Sequence, residues 1–133
     1  MDIIKKIKKL DFPFGEYVVI GSSILAALGL RNASDIDVAV TPSLLRKLRE
    51  TGNWKEEIKW GKLFLVGDKI EIISRLNWED YPTTTAAAIK TALVIDGVPF
   101  LNNEETILFK KALGREKDFK DIELLKRYKE SHK

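Results

Sequence analysis

The segment from Asp35 to Val40 alternates strictly along its length, and it constrains the fold more than any other stretch. Successive side chains of a strand point to opposite faces, so the apolar residues at 36, 38 and 40 share one face while Asp35 and Asp37 share the other. A period of two with one wholly apolar face is typical of a strand that covers a hydrophobic core. We therefore predict a strand over residues 35–40 that has one apolar face and carries two carboxylates on the other.

Helix and strand patterns follow one another along the rest of the chain, and they predict an α+β domain. Gly67-Asp68 and Asp96-Gly97 are typical of tight hairpin turns, so the sheet cannot be purely parallel. Strands are predicted at 16–20, 35–40, 54–60, 62–66, 69–73, 91–95 and 98–101, and helices at 1–11, 22–30, 41–51, within 77–88, at 102–113 and at 117–128. We predict a single domain over residues 1–133, with a small mixed twisted sheet flanked by helices. Its N-terminal helix spans 1–11 and its C-terminal helical part spans 102–130.

Helix boundaries are indicated by capping residues. Thr41 precedes Pro42, the order that opens a helix with an N-cap and a proline at the first helical position. Asn102 is followed three residues later by Glu105, the spacing of a capping box. These signals place the starts of the helices that follow the second and the last predicted strands.

The composition limits the chemistry that the chain can perform. It has 133 residues, 44% of them apolar and 32% charged, which suits one globular domain with a real core. There is no cysteine, and the one histidine, His132, stands next to the last residue, so thiolate, zinc-thiolate and histidine-based catalysis are disfavoured. The net charge of +3 is compatible with an anionic ligand but too weak to indicate nucleic acid by itself. Carboxylates, hydroxyls, lysines and arginines remain.

The first ten residues place isoleucines and lysines at helical spacing. We interpret this segment as a helix docked on the domain, with a basic amphipathic helix on a membrane surface as the alternative. No stretch has the apolar length of a membrane span or the core of a signal peptide. A cytoplasmic protein without a membrane partner is therefore expected.

A third carboxylate, Glu71, lies in the predicted strand 69–73, where its isoleucine neighbours face the opposite way. If this strand adjoins residues 35–40, Glu71 joins Asp35 and Asp37. Like charges that close repel unless a cation compensates them, and Mg²⁺ prefers such oxygen ligands. Three carboxylates could hold two metal ions about 3.5–4 Å apart for in-line displacement at phosphorus. An exposed strand end without metal remains the alternative explanation of the Asp-x-Asp pattern.

Gly21-Ser22 follows a predicted strand and begins a predicted helix. Glycine allows the backbone to approach an anion closely, a helix N-terminus favours negative charge, and Ser22 and Ser23 can donate hydroxyl hydrogen bonds. The lysine of a Walker A loop is not present. A simple helix cap is the alternative interpretation.

Taken in this order, the motifs resemble the DNA polymerase β-type nucleotidyltransferase superfamily: Gly21-Ser22, a helix, Asp35-Ile36-Asp37, and a later isolated carboxylate at Glu71. The segment 108–122 also resembles the C-terminal part of small bacterial and archaeal members, including those of toxin–antitoxin and abortive-infection systems. The resemblance extends from about residue 17 to residue 125 and implies the nucleotidyltransferase fold.

The resemblance implies transfer of a nucleoside monophosphate from an NTP to an acceptor hydroxyl, with release of pyrophosphate. Two Mg²⁺ ions, or Mn²⁺ in their place, would be bound by Asp35 and Asp37. Glu71 would complete the metal site on the acceptor side, while Gly21 and Ser22 would hold the triphosphate.

The resemblance also implies roles for basic residues near the C-terminus. Lys111, Arg115 and Lys117 fall where small members carry cations close to the nucleotide, although a solvated basic helix end would have the same composition. Asp118 is expected to cap the last helix or to pair with a neighbouring base. Arg31 matches an arginine of some members, but Ala33 stands where those members have threonine.

The acceptor is not identified by these residues, and RNA, a protein or a small molecule all fit. One alternative to an enzyme is a non-catalytic binding protein of the same fold, such as an antitoxin-like partner, and another is an RNA-binding module. Trp54, Trp60 and Trp78 are interpreted as core or edge-strand packing rather than as base-stacking platforms.

Overall fold

The computed structural model describes residues 2–132 and has an α+β fold built on a seven-stranded mixed sheet. The strands are β1 (Tyr17–Ile20), β2 (Ile36–Val40), β3 (Lys55–Lys59), β4 (Lys62–Gly67), β5 (Ile70–Ile73), β6 (Leu93–Ile95) and β7 (Val98–Phe100). The helices are α1 (Ile3–Lys9), α2 (Ser23–Ala27), α3 (Pro42–Thr51), α4 (Thr85–Lys90), α5 (Asn103–Leu113) and α6 (Glu116–Ser131). The predicted element order and the helical C-terminal part are confirmed.

The sheet has the strand order β3-β4-β5-β2-β1-β7-β6. Strand β2 is central: it runs antiparallel to β1 on one side and parallel to β5 on the other. The consecutive pairs β3–β4, β4–β5 and β6–β7 are all antiparallel, and the last two are the hairpins predicted from Gly67-Asp68 and Asp96-Gly97. The carboxylate strand β2 therefore lies in the middle of the sheet, where both its neighbours position it.

Hydrophobic clusters cover both faces of the sheet. Ile36, Val38 and Val40 of β2 belong to the larger cluster, whereas Ala39 belongs to the smaller one. This division confirms the predicted period of two in β2. The carboxylate of Asp37 consequently lies on the face of the smaller cluster, which also contains Phe109 of α5.

Helix α1 is docked on the domain. Ile3 and Ile7 are buried in the larger cluster, and Asp2 caps the helix by accepting a hydrogen bond from the backbone N–H of Lys5. The helix therefore uses its apolar face inside the fold, as the first interpretation predicted. None of the helices within residues 2–132 is long and apolar enough to cross a membrane.

Two local predictions were wrong in detail. The β4–β5 turn is Asp68-Lys69, both at positive φ, because β4 continues to Gly67, which pairs with Ile70. Helix α2 has five residues rather than nine, since Gly29 adopts a φ of +75° and ends the helical segment early.

The cap of α5 was predicted correctly, but its capping box was not. Asn102 accepts a hydrogen bond from the backbone N–H of Glu105 at 2.8 Å. The Glu105 carboxylate turns away instead and accepts hydrogen bonds from the hydroxyls of Tyr81 and Thr83 at 2.6 and 2.7 Å. These bonds tie α5 to the segment before α4.

Candidate functional site

The predicted carboxylates meet on neighbouring strands. Asp37 of β2 and Glu71 of β5 are register partners in the parallel pair, so their side chains leave the sheet side by side on one face. Asp35 lies two residues before Asp37 and is exposed. All three line one cleft, which has a volume of about 1060 Å³.

Gly21 packs directly against this carboxylate pair. It follows Ile20, the β1 residue that pairs with Asp37, and it has a φ of +74°. A Cβ at this position would stand 3.1 Å from Oδ2 of Asp37, so a side chain would crowd the carboxylate. The glycine is therefore required both for the left-handed turn and for the close approach of backbone to Asp37.

The environment of Asp37 disfavours its ionised form. Burial, together with the negative charges of Glu71 and Asp35, raises the pKa of Asp37 from 3.8 to about 6, while Lys110 and Arg115 partly oppose the shift. A buried carboxylate beside two others is the arrangement that a cation relieves. This perturbation marks the carboxylate face as a candidate site.

Glu71 has a cationic partner in the protein itself. The Lys59 ammonium, at the end of β3, donates a hydrogen bond to Oε1 of Glu71 in a half-exposed ion pair. This hydrogen bond raises the pKa of Lys59. In residues 2–132 no three His, Cys, Asp or Glu side chains are close enough together to hold a metal ion by themselves. Any ion here would need ligands from substrate or solvent as well.

A buried charge network lies beside the Gly21-Ser22 turn. The Lys110 ammonium, 1% exposed, donates to Oγ of Ser22 at 3.0 Å and to Oδ2 of Asp121 at 2.9 Å. The Ser22 hydroxyl donates to Asp121 at 3.2 Å, and the Arg31 guanidinium makes two 2.7 Å hydrogen bonds to the same carboxylate. The network joins α2, α5 and α6 at the cleft.

The network keeps its aspartate ionised. Burial raises the pKa of Asp121, but the hydrogen bonds from Arg31 and Lys110 outweigh this effect and bring the pKa to about 2. Lys110, Arg31 and Arg115 oppose the two carboxylates of Asp121 and Asp118, so the network next to Ser22 has a net positive charge. That charge favours an anion in the cleft.

Asp118 caps the N-terminus of α6 by reaching back to Arg115, the residue before the helix. Oδ2 of Asp118 accepts from the backbone N–H of Arg115 at 3.1 Å and from its Nε at 2.6 Å. The predicted capping and pairing role of Asp118 is confirmed. Asp118 also lies 3.6 Å from Nζ of Lys110, so it connects the cap to the buried network.

The structure brings most of the predicted site residues into the cleft, with two exceptions. Gly21, Ser22, Asp35, Asp37, Glu71, Arg115 and Lys117 all line it. Ser23 is fully buried and donates to the carbonyl oxygen of Asp35 at 3.4 Å, so it supports the turn from behind. Lys111 lines a separate cavity next to Tyr81, because the helix rotates it away from its neighbour Lys110.

Several cleft residues were missed by the sequence prediction. Lys110, not Lys111, reaches Ser22, and the spacing of apolar residues in α5 could have shown which lysine faces inward. Asp121 was not recognised as the partner of Arg31 because 90 residues separate them. Trp60, predicted as packing, is instead 86% exposed at the edge of the cleft. Trp54 and Trp78 pack on the two hydrophobic clusters, as predicted.

Comparison with known proteins gives no further guidance, since the chain matches no family model, no curated protein and no solved structure. Function is therefore inferred from the residues of the cleft.

Proposed function

We propose that this protein is a metal-dependent nucleotidyltransferase, which moves a nucleoside monophosphate from an NTP to an acceptor hydroxyl and releases pyrophosphate. The observation that carries the proposal is the register pair Asp37–Glu71, with Asp35 just before the same strand and Gly21 next to Asp37. The order of these motifs in the sequence, and the resemblance to polymerase β-type nucleotidyltransferases that it carries, agree with this arrangement.

The carboxylates fit Mg²⁺ in their chemistry. Asp37 and Glu71 offer hard oxygen ligands, and Mg²⁺ is commonly bound by one or two carboxylates with substrate phosphates and water completing its shell. A bound divalent cation would supply charge neutralisation for the phosphates and would polarise the acceptor hydroxyl. The raised pKa of Asp37 supports this assignment, since burial and the neighbouring carboxylates make its ionised form unfavourable.

The triphosphate would lie against the Gly21-Ser22 turn, next to the positive network. Helix α2, with five residues, contributes only a weak dipole, so we assign phosphate binding to the turn backbone and to the charges of Lys110 and Arg115. The Ser22 hydroxyl already donates to Asp121 and can bind phosphate only by leaving that carboxylate. Lys117, at the cleft wall, adds a further positive charge.

The proposal is tested by NTP binding with and without Mg²⁺. Isothermal titration of ATP, CTP, GTP and UTP is compared for the unmodified protein and for the double variant Asp35→Asn/Asp37→Asn. Asp96→Asn, an exposed carboxylate in the β6–β7 turn, serves as the control. We expect Mg²⁺-dependent binding that the double variant loses and the control keeps. Absence of Mg²⁺-dependent binding for all four nucleotides would contradict the proposal.

A second candidate, a non-catalytic binding protein such as an antitoxin-like partner, is favoured by the Lys59–Glu71 ion pair. In this pair a protein ammonium already compensates the charge that metal would neutralise. A protein of this kind would keep its biological effect in the Asp35→Asn/Asp37→Asn variant, whereas an enzyme would lose it. Pyrophosphate release, measured with the same variant, separates the two functions.

A further inference from the structure

Trp60 is the least covered large apolar side chain at the cleft. It is 86% exposed, although it lies at the tip of the β3–β4 hairpin and lines the same cleft as the carboxylates. Its ring meets Phe64 at 70° with 6.0 Å between centroids, so one contact orients the indole without covering it. An oriented, open aromatic surface at the edge of a polar cleft is suited to stacking with a planar ligand.

The turn that carries Trp60 is conformationally costly. Trp60 and Gly61 have φ values of +51° and +71°, the left-handed pair that two-residue hairpin turns favour with Asn-Gly. A bulky aromatic residue at positive φ is an outlier, and it contributes little burial in return at this exposed tip. Because an asparagine would make the same turn with less strain, stability does not explain the indole.

The strand order separates Trp60 from the Gly21-Ser22 turn, where the proposed triphosphate would lie. The carboxylate strands β2 and β5 lie between β1, which leads into Gly21, and the β3–β4 hairpin, which ends at Trp60. A nucleotide with its phosphates at Gly21 and a second ligand at Trp60 would therefore approach the carboxylates from opposite sides. The cleft, at about 1060 Å³, is at the upper end of the usual range of about 300–1,000 Å³ for small-molecule pockets.

The charges around Trp60 favour a polyanion over an apolar partner. Lys62, which follows the Trp60-Gly61 turn, and Lys69 both line the cleft, whereas the charge of Lys59 is already paired with Glu71. Lys62 donates to the carbonyl oxygens of Arg75 and Asn77 at 2.9 and 2.8 Å, which holds its ammonium beside the cleft. An aromatic surface beside cations is the combination that binds bases and phosphates of a single strand.

We propose that Trp60 stacks with a base of the acceptor and that the acceptor is a single-stranded nucleic acid. This inference rests on the proposed nucleotidyl transfer, because only that reaction has an acceptor. The stacking itself can be measured without catalysis. Stacking of the indole with the base of the NTP is the competing outcome of the test.

The test measures binding of a labelled single-stranded RNA octamer by fluorescence anisotropy at fixed salt. An abasic octamer with the same phosphates is the matched ligand, and each NTP with Mg²⁺ is titrated separately. The variants are Trp60→Phe, which keeps an aromatic ring, and Trp60→Asn, which keeps the turn and removes the ring. Phe14→Ala, an aromatic residue that is 68% exposed in the loop before β1, is the control.

We expect Trp60→Asn to weaken RNA binding by about tenfold, the effect of removing one aromatic stacking partner, while Trp60→Phe and Phe14→Ala stay close to the unmodified protein. The abasic octamer should bind weakly and equally to all variants. The inference is overturned if the unmodified protein does not bind the octamer, if Trp60→Asn binds it unchanged, or if only NTP affinity falls. In the last case the indole stacks with the nucleotide.

The two proposals fail in distinguishable ways. If RNA binding depends on Trp60 but NTP with Mg²⁺ yields no pyrophosphate, the proposed nucleotidyl transfer is wrong and the proposed stacking on Trp60 is supported. If pyrophosphate is released with a small-molecule acceptor and RNA binding does not depend on Trp60, the proposed enzyme activity is supported and the proposed nucleic-acid acceptor is wrong.

Discussion

Asp37 and Glu71 are register partners on the parallel strands β2 and β5. The 33 residues between them bring the chain back, so that Glu71 lies beside Asp37. Their carboxylates leave the same face of the sheet, where Gly21 closes one side and Lys59 pairs with Glu71 on the other. The site thus contains both an unfavourable negative pair and the protein's own partial compensation for it.

Replacing Asp37 by asparagine should stabilise the metal-free protein at pH 8. The folded state raises the pKa of this carboxyl from 3.8 to about 6, so its ionised form opposes folding by at most about 3 kcal/mol. Urea unfolding in EDTA should give a higher free energy of unfolding for Asp37→Asn, with Asp96→Asn unchanged. A lower value for Asp37→Asn would show that the carboxylate is not repelled in the folded protein.

Gly21→Ala should destabilise the protein more than Gly29→Ala. Both glycines have a φ near +75°, and an alanine at such a φ costs about 1–2 kcal/mol. A Cβ at Gly29 meets nothing within 4 Å, whereas one at Gly21 stands 3.1 Å from Asp37, so the difference between the variants measures that contact. Thermal unfolding of both proteins checks this; equal losses would mean that Asp37 moves aside freely.

Lys59→Met should strengthen Mg²⁺ binding if Glu71 is a metal ligand. The ammonium competes for the same carboxylate, and a partly exposed pair of this kind is worth up to about 1 kcal/mol, or about fivefold in affinity. Lys62→Met is the control, because Lys62 donates to backbone carbonyls rather than to a carboxylate. Calorimetric titration with Mg²⁺ gives both affinities, and an unchanged or weaker affinity for Lys59→Met argues against metal at Glu71.

Asp121→Asn should destabilise the fold by about 3 kcal/mol, since it leaves the buried Lys110 ammonium and the Arg31 guanidinium without their shared anion. Glu123→Gln on the same helix is the control, because its pair with Arg127 is exposed and contributes little. Chemical unfolding at neutral pH compares the variants. Similar losses in both would mean that the network adds no stability.

The same residue predicts a pH dependence. The pKa of Asp121 is lower in the folded state, at about 2, than its ordinary value of 3.8. Its contribution is therefore complete above about pH 4 and is lost as the pH falls toward 2. Between pH 5 and 2, the unmodified protein should lose more stability than Asp121→Asn does. Parallel curves for the two proteins would assign acid unfolding to other carboxylates.

The sequence by itself determined the features that depend on neighbouring residues. The alternation around Asp37 predicted which side chains of β2 share a face, and Thr41 and Asn102 marked helix starts, because periodicity and capping act within a few residues. The three carboxylates were identified in the same way, but the prediction that they lie close together required the two strands that carry them to be neighbours in the sheet. The register of β2 with β5 supplied that condition for Asp37 and Glu71.

Tertiary structure alone decided the partners that come from distant segments. Lys110 faces Ser22 while Lys111 faces another cavity, and Arg31 reaches Asp121 across 90 residues. Lys59 of β3 pairs with Glu71 of β5 although β4 lies between their strands. The spacing of apolar residues can show which lysine of a helix faces inward, but the packing of whole elements decides which distant residue it meets. For the same reason, only the folded hairpin shows that Trp60 opens onto the cleft instead of packing into the core.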